Sequence, residues 1–361
     1  MAHTENITLR EPLITVVSEA LQALPEVCLK SMEREPSAPV SRPDFEIQLE
    51  VRGHPLRLLV EEKKAAAYPR DVFAMVRQAA SFVVGSGEIP TLPMVIAQAL
   101  PMSSREILRN ENVAYGDSSG SLFLSFAGAL FYIDKPVPRS PIRKALNIYK
   151  GKTTQVLHAL LSTPKRSWHV NELALESGVV PSTVHQVFQV LEEQLWMERK
   201  GRGPEVVRVL RDPCALLNAW RDEHSLKQYD VRSYYGWSQT PLAFRNSLSA
   251  ALEEAHAEYA LTLSSGAELV APFVTSVEKL SVLLPDTFSL RPIIERAKLE
   301  PVEDGANVHF YLSKNKTPFL KRRQIDETWV AGDIQLYLDL WASPARGKEQ
   351  AEHLRKERLS Y

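Results

Sequence analysis

The sequence predicts an α/β protein of several domains, and three observations support this fold class. Strand and helix patterns alternate over residues 1–138. Three helix patterns followed by a basic turn occupy residues 139–212, and a further mixture of strands and helices fills residues 213–361. A chain of 361 residues, 44% of them hydrophobic, is long enough to form two or three cores.

The bulk composition excludes several classes of protein. The formal net charge is −1, so any contact with nucleic acid must come from a local basic patch. Cys28 and Cys214 fit neither a metal-binding spacing nor a disulfide framework, which leads us to expect a reducing, cytoplasmic environment. No apolar run approaches the roughly 18 residues of a membrane helix. The N-terminus has no continuous apolar stretch typical of a secretory signal, so we expect no signal peptide. With no candidate membrane helix, we also expect no membrane contact.

The first domain is predicted to alternate between helices and strands. Residues 11–33 have an amphipathic pattern and are expected to form one helix with a kink at Pro25. A segment rich in proline and serine follows, and two strands with alternating apolar residues come next. The remaining elements are a helix over Pro69–Val83, a strand over Thr91–Ala99, a helix over Ser103–Asn112 and strands over Ser121–Ile133.

The two alternating strands, Phe45–Val51 and Leu56–Lys63, are expected to form a hairpin. A two-residue turn at Gly53-His54 would pair residues whose numbers sum to 107. This register joins Ile47 to Val60 and Leu49 to Leu58 on the apolar face. It also places Asp44 opposite Lys63 and Glu46 opposite Glu61, so that carboxylates and a lysine share the other face.

Three features of this domain stand out: Pro43-Asp44, Glu61-Glu62-Lys63 at a strand end, and Gln78 followed by Phe82 four residues later. Together they resemble the PD-(D/E)xK nuclease family, which often has tyrosine at the position of Phe82. The resemblance implies that Asp44 and Glu61 bind Mg²⁺ or Mn²⁺, that Lys63 is the catalytic lysine and that Gln78 supports the site. Glu46 is an alternative ligand, and Glu62 and Lys64 leave open which Glu-x-Lys pair corresponds to the family motif. The other interpretations are a solvated charged strand face and a nuclease fold that no longer cuts, and an inactive fold is favoured over an active one.

The central segment has the pattern of a winged helix-turn-helix. A helix is expected over Pro141–Leu161, and a second short helix ends at Ser177-Gly178. A third helix begins near Pro181 and ends near Gln194, and two strands flank the basic turn Lys200-Gly201-Arg202-Gly203-Pro204. Between Pro141 and Asp212 there are about 11 basic and about 7 acidic residues, the clearest basic excess in the chain.

The third helix is the predicted DNA-reading element because its outward residues are polar and none is acidic. These residues are Ser182, Thr183, His185, Gln186 and Gln189. The N-terminal side chains of a helix in a major groove reach base edges, and glutamine can pair with adenine. Lys200 and Arg202 at the turn suit phosphates or a minor groove. The alternative is a winged helix that contacts protein.

The C-terminal domain is predicted to contain helices near Pro213–Trp220, Pro241–Ala255, Ile334–Trp341 and Lys348–Leu359, with strands at Tyr259–Leu263, Leu280–Leu284 and Val308–Leu312. Ser264-Ser265-Gly266 between a strand and a helix resembles the opening of a nucleotidyltransferase fold. The paired aspartates that such catalysis requires are absent from the following strand. We therefore expect a non-catalytic domain.

Three motifs stand out near the C-terminus: Gln335-Leu336-Tyr337-Leu338-Asp339-Leu340-Trp341, Arg346-Gly347 and Gln350-Ala351-Glu352. Together with the Ser-Ser-Gly turn and the winged helix, they resemble the AbiEi-like antitoxin and regulator family. Typical antitoxins of that family are shorter than this chain. The resemblance implies a transcriptional repressor, encoded on a plasmid or mobile element, that binds an inverted-repeat operator in double-stranded DNA as a homodimer and needs no cofactor to do so. The alternatives are a Mg²⁺-dependent nuclease targeted by the winged helix, and an antitoxin that contacts a cognate toxin or another protein.

Overall fold

The computed structural model describes residues 13–34, 43–83, 89–136, 147–273, 279–344, 346–359 and 361. The chain forms a mixed α/β structure, which confirms the predicted class. It divides into two compact units, residues 1–146 with 192–195 and residues 147–191 with 196–361. The boundaries predicted at residues 138 and 212 stay a prediction.

The first unit is built on one seven-stranded sheet whose strands follow chain order. Its elements are α1 (Leu13–Gln22), β1 (Val27–Arg34), β2 (Phe45–Val51), β3 (His54–Ala66), α2 (Pro69–Val83), β4 (Thr91–Ala99), α3 (Met102–Asn110), β5 (Ala114–Asp117), β6 (Leu122–Phe126) and β7 (Ala129–Ile133). The central pairs β3–β4 and β4–β5 are parallel, and the outer pairs are antiparallel.

Each face of this sheet carries its own apolar core. On one face, Leu13, Val17 and Leu21 of α1 pack in a cluster with buried residues of β2, β3 and β4. On the other face, Val72 and Met75 of α2 belong to a cluster that also includes residues of β4 and β5. Residues alternate between faces along a strand, so the sheet presents every second side chain to α2.

The predicted helix over residues 11–33 is wrong in its second half. The helix α1 ends at Gln22, and β1 pairs antiparallel with β2 along its length. Pro25 lies between the two elements, where its missing N–H and fixed φ end the helix instead of bending it. The alternation of Val27, Leu29 and Ser31 with more exposed residues is the period-two signal of a strand.

The predicted hairpin register is also wrong, by two residues. The turn is Arg52-Gly53, where both residues have positive φ, 53° and 79°. Val51 therefore pairs with His54, and Ile47 pairs with Leu58 instead of Val60. A two-residue turn with both central residues at positive φ is type I′, which matches the twist of the strands and favours glycine in its second position. The expectation that Gly53 comes first in the turn caused the error.

The second unit begins with three helices and a small sheet. These are α4 (Thr153–Ser162), β8 (Ser167–Trp168), α5 (Val170–Ser177), α6 (Pro181–Glu193), β9 (Met197–Lys200) and β10 (Val207–Leu210), and β10 lies between β8 and β9. The predicted first helix starts later than expected, at Thr153, and the predicted residues 141–146 lie outside the described residues. Gly178, with φ 65°, ends α5 in the left-handed conformation typical of a helix C-terminus.

The remaining elements of the second unit are α7 (Pro213–Glu223), β11 (Asp230–Tyr235), α8 (Pro241–Glu254), β12 (Ala260–Leu261), α9 (Leu263–Ala267), β13 (Leu280–Pro285), α10 (Arg291–Arg296), β14 (Glu300–Pro301), β15 (Val308–Ser313), β16 (Arg323–Ile325), β17 (Thr328–Val330), α11 (Asp333–Trp341) and α12 (Gly347–Arg358). The strands form a second seven-stranded sheet with mixed strand directions and the order β14-β11-β15-β13-β12-β17-β16. One apolar cluster contains residues from α4, α6, α7, α11 and α12. Across the described ranges, no helix has the length and apolar character needed to cross a bilayer.

Candidate active site and nucleic-acid surface

The start of β2 and the end of β3 bring Asp44 and Glu61 together. The Asp44 amide donates to the Val60 carbonyl at 2.9 Å, which extends the antiparallel pairing by one residue. The Glu62 amide donates to Oδ2 of Asp44 at 2.7 Å, so the Asp44 side chain lies against β3. The corrected register therefore places Asp44 beside Glu61, and not opposite Lys63 as predicted.

Glu61 is held by one partner and has one oxygen left over. Nε2 of Gln78, on α2, donates to Oε1 of Glu61 at 2.8 Å. Oε2 of Glu61 is buried and accepts no hydrogen bond from the described protein atoms. Burial, and then the negative charge of Asp44, raise the pKa of Glu61 from 4.5 to about 7. Glu61 is therefore a half-neutralised carboxyl with an unpartnered oxygen. A cation bound here would give that oxygen a partner and would offset the cost of burying the negative charge.

Lys63 follows Glu61 on the same face of β3, but its ammonium is paired elsewhere. Nζ of Lys63 lies 2.6 Å from Oδ2 of Asp71, in the first turn of α2. The same carboxylate accepts from the Tyr68 amide at 3.1 Å, which fixes it at the helix start. Asp71 was not anticipated from the sequence, although an acid in the first turn of a predicted helix is a recognisable signal.

The site fits a divalent cation by the chemistry of its donors. Asp44 and Glu61 supply the carboxylate oxygens that Mg²⁺ prefers, and one of those oxygens lacks a partner. Within the described ranges, no group of three or more His, Cys, Asp or Glu side chains is placed to hold a metal ion. Glu46 does not join the pair, because its Oε1 lies 3.3 Å from Nε of Arg57. The Phe82 side chain lies outside the described residues.

The exposed face of α6 carries the predicted DNA-reading residues. Four of them are exposed and Thr183 is half-buried, the exposed ones being Ser182, His185, Gln186 and Gln189. The opposite face is buried in the second unit through Val184, Val187, Phe188 and Leu191. The helix is therefore fixed by its apolar side while its polar side faces solvent.

The turn between β9 and β10 exposes the two predicted cations, Lys200 and Arg202. Gly201 has φ 86°, and a Cβ there would lie 2.7 Å from the Glu205 carbonyl oxygen, so the tight turn requires glycine. Glu198 is the acidic residue nearest to Lys200 in the sequence. Its Oε2 lies 3.7 Å from Nζ of Lys200, and it also pairs with Arg211. At that distance Glu198 leaves the Lys200 ammonium available to a stronger anion.

Two buried polar networks were not predicted. In the first unit, Arg105 is only 2% exposed and donates to Oδ2 of Asp117 at 2.7 Å, and it also pairs with Asp134. Oδ1 of Asp117 accepts from the amides of Ser119 and Ser121, at 2.9 and 3.2 Å, so Asp117 both closes the turn after β5 and pairs with Arg105.

In the second unit, fully buried Asp339 of α11 accepts four hydrogen bonds. The donors to Oδ1 are Gln335 Nε2 at 2.8 Å, Tyr229 OH at 3.2 Å and His224 Nε2 at 2.8 Å, and Thr262 Oγ1 donates to Oδ2 at 2.6 Å. Burial, and then the charge of Asp339, hold the pKa of Tyr229 well above its usual value. With its oxygens satisfied, this carboxylate is a structural joint between α11 and the strand before the Ser-Ser-Gly segment.

Comparison with known proteins finds only partial structural similarity. No protein-family model matches this chain, and no curated protein matches it. A repair endonuclease from Pyrococcus abyssi superimposes with a TM-score of 0.19 and 20% identity, over 25% of this chain and 38% of that one. The endonuclease EndoMS in its apo form superimposes with a TM-score of 0.21 and 10% identity, over 30% of this chain and 46% of that one. The chain thus spans less than half of each structure.

Proposed function

We propose that this chain binds double-stranded DNA, with α6 in the major groove and the β9–β10 turn against the adjacent backbone, as a winged helix-turn-helix does. The observation that carries the proposal is the two-sided character of α6. Its buried face anchors it, and its exposed face offers Gln186, Gln189 and smaller polar residues without an acidic side chain. A helix of this kind fits the width of a major groove, and glutamine can form two hydrogen bonds with adenine.

The expected biological role is transcriptional repression at an inverted-repeat operator, bound by two copies of the chain. The resemblance to AbiEi-like regulators motivates this part of the proposal. Two-fold symmetric sites are the usual targets of helix-turn-helix proteins, because each copy reads one half-site. No cofactor is needed for such binding.

The proposal is tested by fluorescence anisotropy with labelled fragments of the DNA upstream of the gene. Gln186→Ala should cost about 1–3 kcal/mol and reduce the preference between sequences, because it removes a base contact. The double substitution Lys200→Ala and Arg202→Ala should weaken binding to every sequence. A matched control, Lys314→Ala, removes an exposed charge after β15 and should leave the affinity unchanged. Equal binding by the double variant and the control would refute the docking arrangement.

A second candidate function, metal-dependent cleavage of DNA, is favoured by the unpartnered Oε2 of Glu61 beside Asp44. Asp44 and Glu61 would hold Mg²⁺ or Mn²⁺, which when bound supplies a Lewis acid and a more acidic water. Gln78 keeps Glu61 in place through its 2.8 Å hydrogen bond. The Lys63 ammonium, on the same strand face, would offset charge on a phosphate when it leaves Asp71.

Cleavage is tested by incubating supercoiled DNA with Mn²⁺ or Mg²⁺. If the site is active, Lys63→Ala and Glu61→Gln should abolish nicking, while Lys64→Ala should retain it. Lys64 is the matched control, because it is the next residue on β3 and is exposed. Nicking that survives both site substitutions would come from a contaminating nuclease. DNA that stays intact with either metal would argue against cleavage, and DNA binding would then be the one proposed function left.

A further inference from the structure

The second unit contains an open cleft of about 390 Å³ between the C-terminal end of α4, the start of α11 and the end of α12. Its polar lining has more positive than negative charge, and it includes His158, Ser162, Lys321, Arg323, Asp333 and Arg358. Neither of the proposed DNA-related functions uses these residues.

The cations of the cleft keep donors available for a ligand. Oδ1 of Asp333 accepts from Arg323, and its Oδ2 lies 3.6 Å from Nε of Arg358. A single carboxylate cannot satisfy two guanidinium groups, each of which has five N–H donors. The Lys321 ammonium lies 3.2 Å from Glu176, and its side chain is 56% exposed. An exposed pair of that kind is weak and exchanges readily for a stronger anion.

His158 adds a buried group whose second nitrogen has no partner. Its residue is 1% exposed, and Nε2 accepts or donates no hydrogen bond within the described structure. Oγ of Ser162 donates to the His158 carbonyl at 2.7 Å and lies 3.3 Å from Nδ1. The Ser162 hydroxyl proton is already donated to the His158 carbonyl. Nδ1 of His158 is therefore the donor toward Oγ of Ser162, which leaves Nε2 as an acceptor. Burial, and then the Lys321 charge, lower the pKa of His158 to about 4, so the ring is neutral at pH 7.

We propose that this cleft binds a small molecule carrying a phosphate monoester or free phosphate. Phosphate oxygens would accept from Arg323, Arg358 and Lys321 in charge-assisted hydrogen bonds. The neutral His158 ring lines the cleft beside these side chains without adding a charge. Three cations lining one cleft suit a dianion, which inorganic phosphate or a phosphate monoester supplies near pH 7, whereas a phosphodiester of the DNA backbone carries one negative charge per phosphate.

A ligand bound in the cleft would affect α6. The cleft is bordered by α4, and α4 shares its apolar core with Val184, Val187 and Phe188 of α6. A ligand would therefore act as an effector of DNA binding. Only this consequence rests on the proposed function, and ligand binding itself does not.

The test is isothermal titration of the full chain with inorganic phosphate at constant ionic strength, with sodium chloride as the reference anion. The wild type should show saturable binding, and Arg358→Gln and Lys321→Gln should each weaken it about tenfold. Lys356→Gln is the matched control, because it removes an exposed charge from α12 outside the cleft and should bind like the wild type. Circular dichroism establishes that the variants are folded.

Three results would overturn the proposal. The first is no saturable binding of phosphate by the wild type. The second is equal affinity of Arg358→Gln and Lys356→Gln. The third is loss of phosphate binding on saturation with DNA, together with weakened DNA binding by Arg358→Gln, which would make the cleft part of the DNA surface. Phosphate binding that persists with DNA bound, at a changed affinity, would support the effector role.

Discussion

The substitution Glu61→Gln tests the electrostatics of the carboxylate pair. A carboxyl whose pKa is raised to about 7 binds its proton more tightly in the folded than in the unfolded state. Its contribution to stability is present in full below pH about 4.5 and is lost as the pH rises to about 7. The whole pKa difference corresponds to roughly 3 kcal/mol. Because Glu61 is only partly buried, solvent screening reduces the expected effect to about 1–2 kcal/mol.

Glutamine is neutral at every pH and keeps an oxygen that accepts from Gln78. The free energy of unfolding of the Glu61→Gln variant should therefore be about 1–2 kcal/mol higher than that of the wild type at pH 8. At pH 4.5 it should be no higher than that of the wild type. Bound Mn²⁺ should stabilise the wild type at pH 8 but not the variant, because only an ionised Glu61 offers the cation a charged ligand.

The assay must follow the first unit alone. All six tryptophans lie at or after residue 168, so their fluorescence reports on the second unit. Hydrogen exchange of peptides from β2 and β3 reports on the sheet around Glu61. Glu62→Gln is the matched control on the same strand. A Glu61→Gln variant that exchanges as fast as the wild type at pH 8, or faster, would show that the charge of Glu61 does not destabilise the folded sheet.

Three further predictions concern other parts of the molecule. Asp117→Ala should destabilise the first unit by about 3–5 kcal/mol, because it leaves Arg105 buried with one acid fewer, and hydrogen exchange of β5 measures this. Asp339→Ala should destabilise the second unit by about 3 kcal/mol, because it leaves several buried donors unpaired, and urea denaturation followed by tryptophan fluorescence measures this. The Lys200→Ala and Arg202→Ala double variant should reduce the slope of log affinity against log salt concentration by about 2 in anisotropy titrations, since two phosphate contacts are lost.

The sequence predicted which elements form better than it predicted how they pair. The helix α2 and the strand β4 have the predicted bounds. Hydrophobic residues that recur every 3.6 or every 2 positions over a long stretch are a local signal of helix or strand. The hairpin register depends on which two residues form the turn, and Arg52 at positive φ carries no sequence signal of its own. That single difference moved Asp44 from Lys63 to Glu61, and it left Glu46 beside Arg57.

Contacts between residues distant in the chain could not be predicted. The pairing of Arg105 with Asp117 and the convergence of His224, Tyr229 and Thr262 on Asp339 require the folded sheet. Polar residues in such networks look like surface or turn residues in the sequence, because burial depends on tertiary packing. The exposed residues of α6 were easier to predict, because one helix sets them opposite its own apolar face.

The proposed role of this chain rests on DNA binding by the exposed face of α6. The decisive measurement is a gel shift with upstream DNA, with and without Mn²⁺, comparing the wild type with the Lys200→Ala and Arg202→Ala double variant. We expect a discrete shifted band with the wild type in both conditions and a much weaker band with the variant. If the wild type leaves the DNA unshifted, the proposed DNA binding is wrong and a protein partner for this surface is favoured.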